Sequence, residues 1–153
     1  MIHASLRIPL GVSFIRYHVD YLLFPANCSA RESAGYDFSH SSQIGLNIVK
    51  GLNDVLGKME VTGHAYGIAS MIHFVLSDCD CDREVCTLAH DDIKNAIALP
   101  AMTSIKRGLQ NCGVDLMGKN AFLVSATHSE KEIDNTLGAF EQALRSVREE
   151  GLI

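Results

Sequence analysis

Apolar residues along the chain fall into two spacings, and each change of spacing marks a new element. Ile44, Ile48, Val49, Leu52, Val55 and Leu56 recur every three to four positions, the period of one helix face. Ser41 or Ser42 can cap this helix, and Gly57 is its expected end. Residues 60–65 and 68–76 then read as two strands joined near Tyr66-Gly67. The second is nearly all apolar (Met71, Ile72, Phe74, Val75, Leu76), as in a strand central to its sheet. Residues 77–87 form a polar, acidic, cysteine-rich loop.

Helical spacing returns at 88–112 in two pieces. Ile93, Ala96 and Ile97 line the first, and Met102, Ile105, Leu109 and Cys112 the second. Pro100 interrupts them and Gly113 stops the second. Residues 114–117 and 121–126 are short apolar runs flanking Gly118-Lys119-Asn120, residues that tolerate positive φ. Ser129 and Glu132 have capping-box spacing, and Ile133, Leu137, Phe140, Leu144 and Val147 form one stripe ending before Gly151. His128, just ahead of that cap, reads as a structural histidine. The order helix, strand, strand, helix, strand, strand, helix with short turns predicts an α+β two-layer sandwich. Its sheet has three to four mainly antiparallel strands, with helices packed on one face.

The bulk numbers fit one domain. The chain has 153 residues, 47% hydrophobic and 20% charged, which supports a real core and excludes wholesale disorder. Residues 41–153 make the domain, and residues 1–40 read as an N-terminal arm or linker with no clear period. A net charge of −5 with scattered Lys and Arg argues against a nucleic-acid partner. The uncharged run 8–15 is too short to span a membrane. Five cysteines, an odd number, and no convincing export signal lead to the expectation of a cytoplasmic protein with reduced thiols.

Two groups of residues carry candidate chemistry. Cys79, Cys81, Cys86 and His90 form C-x-C-x4-C-x3-H, donors that suit tetrahedral zinc. The spacing departs from paired C-x-x-C knuckles, and an exposed loop of thiols is the competing reading. Cys28 and Cys112 offer no readable Cys–His pair for thiol catalysis.

The second group lies in segments with a family look. V-T-G-H-A-Y-G-I-A-S-M-I-H-F-V-L at 61–76 contains YG-x-x-SM-x-H (Tyr66, Gly67, Ser70, Met71, His73), and GVDLMG and VSATHSEKEID follow. From Ser41 to Ile153 the chain resembles the C-terminal small domain of class III, fold-type I, pyridoxal-phosphate-dependent aminotransferases, most closely the glutamate-1-semialdehyde 2,1-aminomutase-like branch. The resemblance implies a domain that closes over substrate while a large domain holds pyridoxal phosphate on a lysine. It also implies that Asn120 is substrate-facing, since the aminomutases carry an acidic residue at that place; the turn-residue reading of Asn120 stands beside it. Lys50, Lys58, Lys94, Lys106, Lys119 and Lys131 match no cofactor-lysine motif, and no pyridinium-pairing acid or phosphate cradle is visible.

The chain is thus expected to be such a small domain, inactive alone for want of the cofactor-binding domain. No catalytic, cofactor-binding or firm metal residue is assigned, and no cofactor is expected for this chain alone. The partner is a separate large domain or a second copy in a homo-oligomer. The alternative is a non-enzymatic oligomerisation or interaction module derived from that domain.

Overall fold

A computed structural model describes residues 38–79 and 85–153. Seven elements follow in order: α1 Phe38–Lys58, β1 His64–Ile68, β2 Met71–Val75, α2 His90–Asn95, α3 Leu99–Asn111, β3 Ala121–Leu123 and α4 Glu130–Glu149. The sheet has three strands in the order β1-β2-β3, with both pairings antiparallel. The expected α+β architecture is therefore present, with α1 packed on β1 and β2 and α4 packed on α1 and α3. The expectation for residues 1–37 lies outside the described residues.

The apolar stripes read from the chain are the core. All six stripe positions of α1 are buried, and Phe140, Leu144 and Val147 of α4 have no exposed surface. Phe74, Phe122 and Phe140 join β2, β3 and α4 at ring-centroid distances of 5.1–6.4 Å. The two contacts of Phe140 are edge-on, the arrangement that aromatic quadrupoles favour.

Helix ends follow one device. Val114 N–H bonds Leu109 O and Gly113 N–H bonds Gln110 O, with Gly113 at φ 81. Leu152 and Gly151 repeat the pattern at the end of α4, with Gly151 at φ 70. This is the Schellman cap, which satisfies the last free carbonyls. α1 ends the same way, but on Glu60 (φ 54) rather than at Gly57: Val61 N–H bonds Leu56 O and Glu60 N–H bonds Gly57 O. Val61 packs against the core that contains Leu56, so the helix runs past the glycine until its cap has an apolar residue to fold back. At the other end of the domain the capping box of α4 forms as read, with Ser129 N–H donating to Glu132 Oε2 at 2.8 Å. Hydrogen bonds from the Ser129 hydroxyl and then its amide hold the Glu132 carboxyl below the usual carboxylate range.

The β1–β2 turn lies at Ala69-Ser70, not at Tyr66-Gly67. Ile68 faces Met71 in the register, so two residues make the turn, the first at φ 53. Positive φ there gives a hairpin turn whose twist matches its strands. Gly67 stays inside β1 for a different reason: a Cβ there would sit 2.3 Å from Met71 O. Gly45 plays a like part in α1, where a Cβ would meet Ala69 O at 1.9 Å. The helix therefore touches the turn itself.

Asn53 completes the clamp. β1 is an edge strand, and the Asn53 amide bonds Ala65 from its open side: Oδ1 accepts Ala65 N–H at 2.9 Å and Nδ2 donates to Ala65 O at 2.8 Å. The side chain thus takes the place of a neighbouring strand and satisfies the backbone of a buried residue. The segment 114–117 pairs only through the bridge Met117↔Ala121, and β3 stops at Leu123. Lys106 donates to Leu116 O and Gly118 O at 3.2 and 3.3 Å, so a helix side chain takes one carbonyl of this run and one of the turn after it.

Replacement of Asn53 by Ala leaves two peptide groups of β1 without their partner. A loss of about 1–3 kcal/mol in denaturant unfolding is expected. An unchanged midpoint would show that water replaces the amide at no cost.

Candidate functional site

Strand alternation sends Ala65, Ile72 and Phe74 into the core and sets His64, Tyr66, Met71 and His73 on the other face. There Tyr66 lies opposite His73. The Tyr66 ring stacks between two imidazoles, 5.3 Å from His64 and 5.5 Å from His73. Burial pushes both histidines below their ordinary value, so each is neutral near pH 7. Burial also raises the Tyr66 phenol, and the nearby Cys86, when ionised, raises it further.

A groove of about 460 Å³ opens beside this ladder, lined by Tyr66, His73, His90, Lys94, Lys119 and Asn120, with Ile93, Ile97 and Met102 as its apolar part. Among the described residues its polar lining holds two ammonium groups, two imidazoles, a phenol and an amide, and no carboxylate. Lys94 reaches Asp91 at 3.9 Å, an exposed pair that weakens its charge little. Such a lining suits a small anionic ligand, a carboxylate or phosphate.

Asn120, the residue that the resemblance makes substrate-facing, is one of those lining this groove. It is also the turn residue of the other reading: its Nδ2 donates to Phe74 O at 2.6 Å, and its carbonyl accepts Phe74 N–H. Backbone anchoring and a groove position coexist in one side chain. His128 Nδ1 accepts Ser125 N–H at 2.9 Å, bracing the turn before α4 as the sequence suggests.

The sulfur cluster differs from its spacing. Among the described residues, His64, Cys79 and Cys86 bring an imidazole nitrogen and two sulfurs within 4.8 Å of one another. His90 lies in the groove instead, and Cys81 falls outside the described residues. His64 comes from β1, so no local spacing announced it. Its sign in the sequence is the alternation His64-Tyr66, which faces both outward. Cys79 is disulfide-bonded, against the expectation of reduced thiols throughout, while Cys86 and Cys112 are thiols.

The lysines do not fit a pyridoxal phosphate Schiff base. Five of the six are exposed, and the half-buried Lys106 is spent on Leu116 O and Gly118 O. No buried side-chain polar atom among the described residues lacks a partner.

No protein-family model and no curated protein matches the chain. Solved structures do match its fold. An omega-transaminase from Sphaerobacter thermophilus aligns with TM-score 0.57 and 20% identity over 72% of this chain. A glutamate-1-semialdehyde-aminomutase from Pseudomonas aeruginosa PAO1 aligns with TM-score 0.59 and 13% identity, again over 72%. A transaminase with PLP bound aligns with TM-score 0.57 and 20% identity over 74%. The match covers 24%, 23% and 24% of those chains, so this chain spans about a quarter of their length. At such identities the likeness is one of fold, and it agrees with the resemblance carried by residues 61–76 and 113–134.

No helix among the described residues is long and apolar enough to cross a membrane. Tyr66 supplies a direct check of the ladder. Its folded value is raised, so its contribution to stability is present below about pH 10 and fades as pH rises through the folded value. Ultraviolet titration of the wild type minus Tyr66→Phe should show one phenol ionising above the ordinary range. A difference curve at the ordinary value would place Tyr66 in solvent.

Proposed function

We propose that residues 41–153 act as the small domain of a pyridoxal-phosphate-dependent aminotransferase or aminomutase-like enzyme, with the cofactor held by a large domain elsewhere. The observation that carries this reading is the fold match, which takes in 72% of this chain and about a quarter of an omega-transaminase and an aminomutase. The outer sheet face supports it. Ile68 and Met71 continue that face beyond Tyr66 and His73 and are 64% and 45% exposed, so apolar surface is left for a covering body. A large domain fits that place, and a second copy of the chain is the competing occupant.

In this role the chain's own residues recognise and enclose. Tyr66, His73, Lys119 and Asn120 bind the substrate's carboxylate end, and the neutral imidazoles accept or donate single hydrogen bonds without a charge cost. Pyridoxal phosphate, when bound by the large domain, supplies the electron sink for amino transfer. The location is cytoplasmic, and the chain alone is inactive.

The test is to incubate the purified chain with pyridoxal phosphate, reduce with borohydride and map the labelled lysines. Sparse labelling spread over exposed lysines is expected. A stoichiometric adduct at one lysine would overturn the assignment of the cofactor to another domain. Sequencing of the flanking DNA tests the other half: a neighbouring frame with the cofactor lysine supports the split enzyme, and its absence favours the interaction module.

A further inference from the structure

From the outer end of β1 and the loop after β2, we infer that His64, Cys79 and Cys86 form a zinc-binding site in the reduced protein. The three donor atoms lie within 4.8 Å of one another, and Cys79 Sγ is 3.4 Å from His64 Nδ1. In tetrahedral zinc with Zn–S near 2.3 Å and Zn–N near 2.0–2.1 Å, an S···N edge is about 3.6 Å and an S···S edge about 3.8 Å. Cys79 Sγ is also 3.7 Å from His64 Nε2, so the sulfur lies over the imidazole; to bind zinc the ring turns to present one nitrogen, and Cys86 moves inward by up to about 1.2 Å.

Three features favour a soft cation over the bland reading of an exposed thiol loop. All three donors are half-buried rather than on the open surface. His64 is carried on strand β1, so its backbone loses little freedom on binding. Asp78, Asp80, Asp82 and Glu84 outnumber Arg83 in the surrounding sequence, which attracts cations to the loop. Two thiolates and an imidazole select zinc over magnesium or calcium, and the fourth position is left for water.

The Cys79 disulfide makes the site redox-dependent. A dithiol reductant is oxidised to its own disulfide, and its two electrons and two protons convert the protein disulfide to two thiols. Zinc then displaces the thiol protons of Cys79 and Cys86 as it binds. A small-molecule disulfide, itself reduced to two thiols by thiol–disulfide exchange, takes up the two electrons when Cys79 reoxidises, which removes one ligand and releases the metal.

The test uses the full chain, reduced under argon, loaded with zinc and freed of excess by gel filtration. About one zinc per chain is expected, with no retention of magnesium and no zinc in protein left oxidised. Cobalt substituted for zinc should give the intense visible bands of a tetrahedral thiolate site. His64→Gln and Cys86→Ser should each lose the metal while circular dichroism shows the fold intact, and Cys112→Ser, whose thiol bonds Gln142 Oε1 instead, should keep it. If one of the two variants does not fold, the other decides. No retained zinc in the reduced wild type, or retention by either folded ligand variant, overturns the site.

Discussion

The register between β1 and β2 is the constraint on which the structure rests. Ala65 faces Phe74 and Tyr66 faces His73, and a shift of one residue would exchange the two faces of β1. Three contacts fix it. The two-residue turn at Ala69-Ser70 sets the pairing, Gly67 allows the strands to close where any Cβ would strike Met71 O, and the Asn53 amide grips Ala65 from the edge. α1 takes part twice, through Asn53 and through Gly45 against Ala69 O. The hairpin is therefore held by a helix that precedes it in the chain, and the core and the outer face are settled together.

From that register follow both halves of the molecule. Inward, Phe74 meets Phe122 and Phe140, which ties α4 to the sheet and dries the interior. Outward, the same alternation stacks His64, Tyr66 and His73 in one line. One end of the line opens on a cationic groove that contains Asn120, and the other ends at two sulfurs. The chemistry of the domain thus lies on the sheet face opposite the phenylalanine core, with α2 and α3 residues walling the groove.

Local chemistry was legible in the sequence wherever it is carried by neighbours in the chain. The α4 capping box, the stops at Gly113 and Gly151, and the buried stripes of α1 and α4 all depend on residues within a few positions. Features set by distant contacts were not. Gly57 and Gly67 looked like punctuation, yet one lies inside α1 and the other inside β1, because Val61 and Met71 decide where the chain turns. The run 114–117 looked like a strand, but it pairs only through the bridge Met117↔Ala121, and the Lys106 side chain takes Leu116 O. His64 joins Cys79 and Cys86 through strand pairing and a loop, so spacing pointed to His90 in its place. Asn120 stands in the turn where its neighbours put it, but its bond to Phe74, from 46 positions away, was not legible in the sequence.

The hairpin register is tested most directly by nuclear Overhauser contacts between aromatic side chains in the full chain. The ring protons of Tyr66 and His73 should show a contact, as should those of Phe74 and Phe140, whose centroids lie 5.5 and 5.1 Å apart. Tyr66 and Phe140 should show none, because they lie on opposite faces. A contact between Tyr66 and Phe140, with the Tyr66–His73 contact missing, would mean a slipped register and would contradict the separation of core from site.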